Sequence, residues 1–116
     1  MMTLDELRNR REILTSIDWE LTPQAAFQKY QVKSINSWKY RNLEETYHFY
    51  IDVWQGKAKL FLMKRGLKSA EDVAEIDVPE KLLRPCLVKQ AGNPPLRGQY
   101  PIDSAIKEWL REQLKA

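Results

Sequence analysis

The sequence predicts an α+β fold: a small antiparallel β-meander built on a hairpin at residues 46–65, packed by N-terminal and C-terminal helices. Three features predict this fold. Residues 47–65 have a two-residue hydrophobic period, which is typical of strands, and residues 3–16 and 103–114 have a helical period. The 116 residues match the usual length of one domain, so we predict a single domain over 1–116.

The hairpin is the element whose pairing the sequence specifies most fully. A two-residue turn at Gln55-Gly56 pairs Trp54 with Lys57 and thereby fixes every later pair. A slip of one residue would mix the two faces, because side chains alternate along a strand. The predicted pairs on the first face are Val53 with Ala58, Ile51 with Leu60, Phe49 with Leu62 and Tyr47 with Lys64. This face is apolar except at the end away from the turn, and it predicts a core of Phe49, Ile51, Leu60 and Leu62.

The second face of the hairpin is less polar than a solvated face should be. Its predicted pairs are Asp52 with Lys59 as an ion pair, Tyr50 with Phe61, and His48 with Met63. One interpretation is that a helix packs on this face. The other is a binding surface in which aromatic side chains lie among cations. The candidate binding residues are Tyr50, Trp54, Lys57, Lys59, Phe61, Met63 and Arg65.

Two helices are predicted before the hairpin. Thr3 and Glu6 have the spacing of a capping box, which predicts a helix over 3–16. Thr22 followed by Pro23 predicts a second helix from 23 to 32, with Ala26, Phe27 and Tyr30 on its apolar stripe. Residues 34–42 fit either a continued helix through Ile35 and Trp38 or a break at Asn36 and Ser37.

The chain after the hairpin predicts one more strand and two helices. Ala74, Ile76 and Val78 alternate with acids, so we prefer a third strand at 73–78 to a short helix at 70–76. Residues 79–91 predict a helix that ends at Gly92, and Pro85 should split or kink it. Residues 92–101 predict a loop. Asp103 should cap the last helix, whose apolar stripe is Ile106, Trp109, Leu110 and Leu114.

The sequence lacks the residues that several classes of site require. His48 is the single histidine and Cys86 the single cysteine, so we expect no intrachain disulfide, no thiolate zinc site and no metal or cofactor. His48 is predicted to be a packed or half-exposed strand residue, and Cys86 a buried, inert thiol on an apolar helical face. No stretch is long and apolar enough for a membrane span and no signal peptide is evident, so we expect a cytoplasmic protein.

Three functions are compatible with these residues. The first is a small non-catalytic interaction or accessory protein, of which self-association through the second face is one form. The second is a nucleic-acid-binding protein, because the run 53–70 carries five cations and no acid although the net charge is only +3. A shorter run, Trp38-Lys39-Tyr40-Arg41, alternates aromatic and cationic residues. The third is a carboxylate-based or His48-based enzyme. We rank a protein partner or a homo-oligomer ahead of nucleic acid, and we expect no membrane partner.

Overall fold

The structure, a computed structural model, describes residues 1–35, 38–41, 43–90 and 98–115. A four-stranded antiparallel sheet with strand order β3-β2-β1-β4 has helices packed on it, so the predicted α+β class is confirmed. In chain order the elements are α1 (Leu4–Arg8), α2 (Arg11–Leu14), α3 (Pro23–Ile35), β1 (Thr46–Trp54), β2 (Lys57–Arg65), β3 (Ala70–Ile76), α4 (Glu80–Gln90), β4 (Gly98–Tyr100) and α5 (Ser104–Leu114).

The predicted hairpin register is confirmed at every pair from Trp54–Lys57 to Tyr47–Lys64. Gln55 and Gly56 both have positive φ, 50° and 74°, as in the tight turns whose twist matches that of two paired strands. The predicted core is also confirmed, because Phe49, Ile51, Leu60 and Leu62 are all buried. They lie in one cluster with side chains from β3, α1, α2 and α5.

The preference for a third strand over a helix is confirmed, although β3 spans Ala70–Ile76 and not 73–78. Val73 is an extra residue between Ala74, which pairs with Leu62, and Asp72, which pairs with Met63. Such a bulge bends a strand and re-aims its side chains. Its consequence here is that Asp72 lies beside the second face of the hairpin.

The fourth strand, β4, lies within the predicted loop 92–101, so that prediction is wrong for residues 98–100, whereas residues 92–97 lie outside the described part of the chain. β4 pairs with residues 51–53 of β1. Further along the same edge, Asp18 N donates to Tyr47 O at 2.8 Å. At the opposite edge, Met2 N donates to Val73 O at 2.9 Å and Glu75 N donates to Met2 O at 3.1 Å. Both sheet edges are therefore partly covered, which discourages pairing with another sheet.

The capping box of Thr3 and Glu6 is confirmed, but the single helix over 3–16 is wrong. α1 ends at Arg8, where Asn9 N bonds back to Glu6 O, and α2 starts at Arg11. Leu7 and Ile13 are both buried in the core cluster. In one straight helix these two side chains would diverge by about 120°, because each residue turns about 100°. The break allows both to face the sheet.

Helix α3 begins as predicted at Pro23, with Thr22 Oγ1 accepting from Ala25 N at 3.2 Å, and it continues beyond residue 32 to Ile35. Ala26 and Tyr30 are buried, whereas Phe27 is exposed, so its place in the apolar stripe is wrong. Tyr30 Oη donates to Glu44 O at 3.0 Å and so attaches α3 to the segment that enters β1. The predicted break at residues 36 and 37 lies outside the described residues.

Two helices near the end of the described chain complete the core. α4 contains Pro85 within one helical span, so of the two predicted alternatives, a split or a kink, the helix is not split; its predicted end at 91–92 lies outside the described residues. Cys86 is half-buried against the core, not fully buried as predicted. In α5 the Asp103 cap is confirmed, with Oδ1 accepting from Ile106 N at 2.8 Å. The buried residues of α5 are Ile106, Leu110 and Leu114.

Candidate functional site

The second face of the hairpin is divided into a covered end and an open end. At the covered end, next to α3, His48, Tyr50 and Met63 are buried. Arg65 is half-buried there, with Cζ 5.9 Å from the centre of the Phe27 ring. Tyr50 and Met63, two of the seven candidate residues, therefore offer little surface to a partner.

Tyr50 ties β1 to β3 at the covered end through a partly buried hydrogen bond. Its Oη donates to Asp72 Oδ1 at 2.7 Å, and its ring stacks on Phe61 with centroids 5.6 Å apart. Burial raises the pKa of Tyr50, and the bond to the Asp72 carboxylate raises it further. Tyr50 therefore stays neutral and acts as a donor, which is a structural role.

His48 is enclosed beside Tyr50, with the two ring centroids 6.2 Å apart. The side chain is 1% exposed, and neither ring nitrogen has a hydrogen-bond partner among the described residues. Burial lowers the pKa of His48, because a charged imidazolium is costly away from water. A neutral, enclosed imidazole has no access to a substrate from the surface.

The open end forms a groove of about 320 Å³ at the tip of the hairpin. Its lining consists of Asp52, Trp54, Gln55, Lys57, Lys59 and Phe61, and we call it the tip groove. Four of the seven candidate residues, Trp54, Lys57, Lys59 and Phe61, are thus brought together, while Arg65 lies at the other end. Trp54 is 48% exposed, a large fraction for an indole.

The charges in the tip groove differ from the prediction in one pair. Lys59 faces Asp52 in the register, but its Nζ makes an ion pair with Glu75 Oε1 on β3 at 3.7 Å. Asp52 is half-buried and lies on the same face as Lys57. The groove therefore combines an aromatic surface, exposed cations and a carboxylate, so it offers both apolar and ionic contacts to a partner.

A second concave surface, which the sequence did not reveal, surrounds the loop 66–69 between β2 and β3. A cavity of about 480 Å³ on one side of this loop includes Trp38 and Arg41 in its lining, and one of about 350 Å³ on the other includes Phe27 and Arg65. Lys68 lines both cavities. We call Trp38, Arg41, Arg65 and Lys68 the basic–aromatic surface. Its signals in the sequence were the alternation at 38–41 and the acid-free run 53–70, which contains Arg65 and Lys68.

The described residues contain no group of three or more His, Cys, Asp or Glu side chains placed to hold a metal ion. None of the helices they form is long and apolar enough to cross a membrane.

In comparisons with known proteins, no family model, no curated protein and no solved structure matches the chain.

Proposed function

We propose that the protein is a non-catalytic interaction module that associates with a second copy of itself through the tip groove. The exposure of Trp54 carries this proposal. An indole that remains half-exposed beside a groove is a common anchor of protein interfaces, where Trp is among the residues that contribute most. The accessory role predicted from the sequence then takes the form of self-association.

The chemistry of the tip groove supports a second copy as the occupant. In a two-fold dimer the same patch of each subunit meets itself, so the patch must be self-complementary. Trp54 and Phe61 supply aromatic surface on both sides of such an interface. Lys57 of one copy would face Asp52 of the other, so the charges as well as the apolar groups find partners.

The sheet edges support association through a face. Met2 covers part of the β3 edge, and β4 together with Asp18 covers part of the β1 edge. The backbone groups of Val73, Glu75 and Tyr47 that these contacts occupy are closed to pairing with a second copy. The tip groove offers side chains instead.

The buried position of His48 disfavours the enzyme hypothesis. At 1% exposure its imidazole cannot contact a substrate without local unfolding. The half-buried Tyr50–Asp72 pair is held in a structural hydrogen bond. These two observations support placing a binding role ahead of a catalytic one.

Sedimentation equilibrium from micromolar to millimolar protein tests the proposal. Trp54→Ala should weaken dimerisation by about 2 kcal/mol per subunit, which is about 1,000-fold in Kd for the two copies together. Trp38→Ala is the matched control, because Trp38 is also an exposed tryptophan but lies outside the tip groove. A chain that stays monomeric over the whole range would contradict the proposal.

A charge exchange tests the arrangement within the dimer. Lys57→Asp alone should weaken dimerisation, because each copy then places two carboxylates together. The double variant Lys57→Asp, Asp52→Lys should recover most of the lost affinity, since the cross-copy pair is restored with its signs reversed. Equal weakening by the single and double variants would show that these two residues do not meet across the interface.

A further inference from the structure

Cations are concentrated around the loop 66–69, on a different part of the molecule from the tip groove. Two acid-free stretches of the sequence, 21–43 and 53–70, meet at this surface. Arg41, Arg65 and Lys68 make no ion pair with a carboxylate among the described residues. Glu45 also lines one of the cavities, but Lys64 holds its carboxylate at 3.2 Å. The surface is therefore positive at short range although the net charge of the chain is small.

Exposed aromatic rings lie among these cations. Trp38 is 72% exposed, and Lys39 Nζ lies 5.1 Å from the centre of its ring. Tyr40 is partly exposed next to it, with Lys33 Nζ 5.1 Å from its ring. In both pairs the ammonium group lies over the ring, and Trp38, the more exposed of the two rings, has the larger surface on which a nucleobase can stack.

We infer that the basic–aromatic surface binds single-stranded nucleic acid. Arg41, Arg65 and Lys68 would contact backbone phosphates, and Trp38 would stack on an unpaired base. Surfaces that bind single strands without strong sequence preference combine these two features. A duplex fits less well, because its bases are already stacked inside the helix and cannot reach Trp38.

This site differs from the one predicted on the hairpin. Among the five cations of the run 53–70, Lys59 and Lys64 are held by Glu75 and Glu45. Lys57 lies in the tip groove. Arg65 and Lys68 are the two cations of this run that lie on the basic–aromatic surface, and Arg41 joins them there from a distant part of the chain. The inference stands apart from the proposed self-association, because the two surfaces share no residue.

Fluorescence anisotropy with a labelled 12-nucleotide oligo(U) tests the inference. Three phosphate contacts predict a salt slope of about −2 for a single strand, so a fourfold rise in salt should weaken binding about 20-fold. Trp38→Ala should weaken binding about 5- to 150-fold, the range typical of one stacked base. The double variant Arg41→Glu, Lys68→Glu should abolish measurable binding.

Four controls, two variants and two other ligands, make the experiment decisive. Trp54→Ala and Lys57→Glu change the tip groove and should leave the affinity for oligo(U) within twofold of the parent. A duplex RNA of the same length should bind more weakly than oligo(U). A poly-glutamate peptide of equal charge should also bind more weakly, since it offers no base to Trp38.

Four results would overturn the inference. They are no binding of oligo(U) at low salt, equal weakening by Trp38→Ala and Trp54→Ala, tighter binding of the duplex, and equal binding of poly-glutamate. The variant Trp38→Phe keeps an aromatic face and should retain most of the affinity. Loss of binding in this variant as complete as in Trp38→Ala would show that stacking is not the cause.

Discussion

Replacing Leu60 by Ala should remove a large part of the free energy of unfolding. Leu60 is fully buried at the centre of the sheet, where it pairs with Ile51 on β1 and Ile76 on β3. Three buried carbon groups are lost, which at about 0.8 kcal/mol each gives about 2.4 kcal/mol. A residual cavity of about 40 Å³ adds about 1 kcal/mol. Because strands on both sides hold β2 in place, the site cannot collapse, and we expect a total of about 3.5 kcal/mol.

Urea unfolding followed by tryptophan fluorescence measures this loss. The midpoint should fall while the slope m stays constant, since the same surface is exposed on unfolding. Ile35→Ala is the matched control, because Ile35 is 78% exposed and its truncation should change stability by less than about 0.5 kcal/mol. A midpoint for Leu60→Ala equal to that of Ile35→Ala would refute the assignment of Leu60 to the core.

Three further predictions concern single residues. Burial lowers the pKa of His48, so as the pH falls the imidazole of the unfolded chain is protonated before that of the folded chain. The free energy of unfolding should therefore decrease as the pH falls below about 6.5. His48→Phe should flatten this part of a profile of stability against pH, and an unchanged profile would contradict the burial of a neutral His48. Tyr50→Phe removes the donor to Asp72 and should cost about 1–2 kcal/mol in urea unfolding, whereas an unchanged midpoint would show that the bond contributes nothing. Gln55 has φ +50°, so Gln55→Asn should stabilise the hairpin by about 0.5–1 kcal/mol, and a lower melting temperature would count against this turn geometry.

The hairpin could be predicted from the sequence because the residues that determine its pairing lie close together in the chain. The turn at Gln55-Gly56 and the alternation on both strands agree on one register, and no distant contact is needed to choose it. The capping residues Thr3, Thr22 and Asp103 were found for the same reason, since each bonds to a backbone group three residues away. The break between α1 and α2 could not be predicted, because its cause is packing on the sheet. The break allows Leu7 and Ile13 to face the sheet together.

The remaining features depend on contacts between distant parts of the chain. β4 is three residues long with no hydrophobic period, and it is a strand because β1 offers it backbone partners. The sequence showed that the second face is too apolar for solvent, but not that α3 would lie at the end near Arg65 and leave Trp54 open. The basic–aromatic surface joins the segment 38–41 to the loop 66–69, a juxtaposition that residue spacing cannot reveal.

The central claim is that the tip groove binds a second copy and the basic–aromatic surface binds a nucleic-acid strand. Its most direct test is a two-dimensional ¹H–¹⁵N spectrum of the tryptophan indoles. The chain has four tryptophans, so each indole N–H signal can be assigned by one substitution. Raising the protein concentration should shift the Trp54 signal and leave Trp38 in place, whereas adding oligo(U) to dilute protein should shift Trp38 and leave Trp54 in place. Signals that stay fixed in both titrations, or a Trp38 signal that follows protein concentration while Trp54 follows oligo(U), would contradict the account.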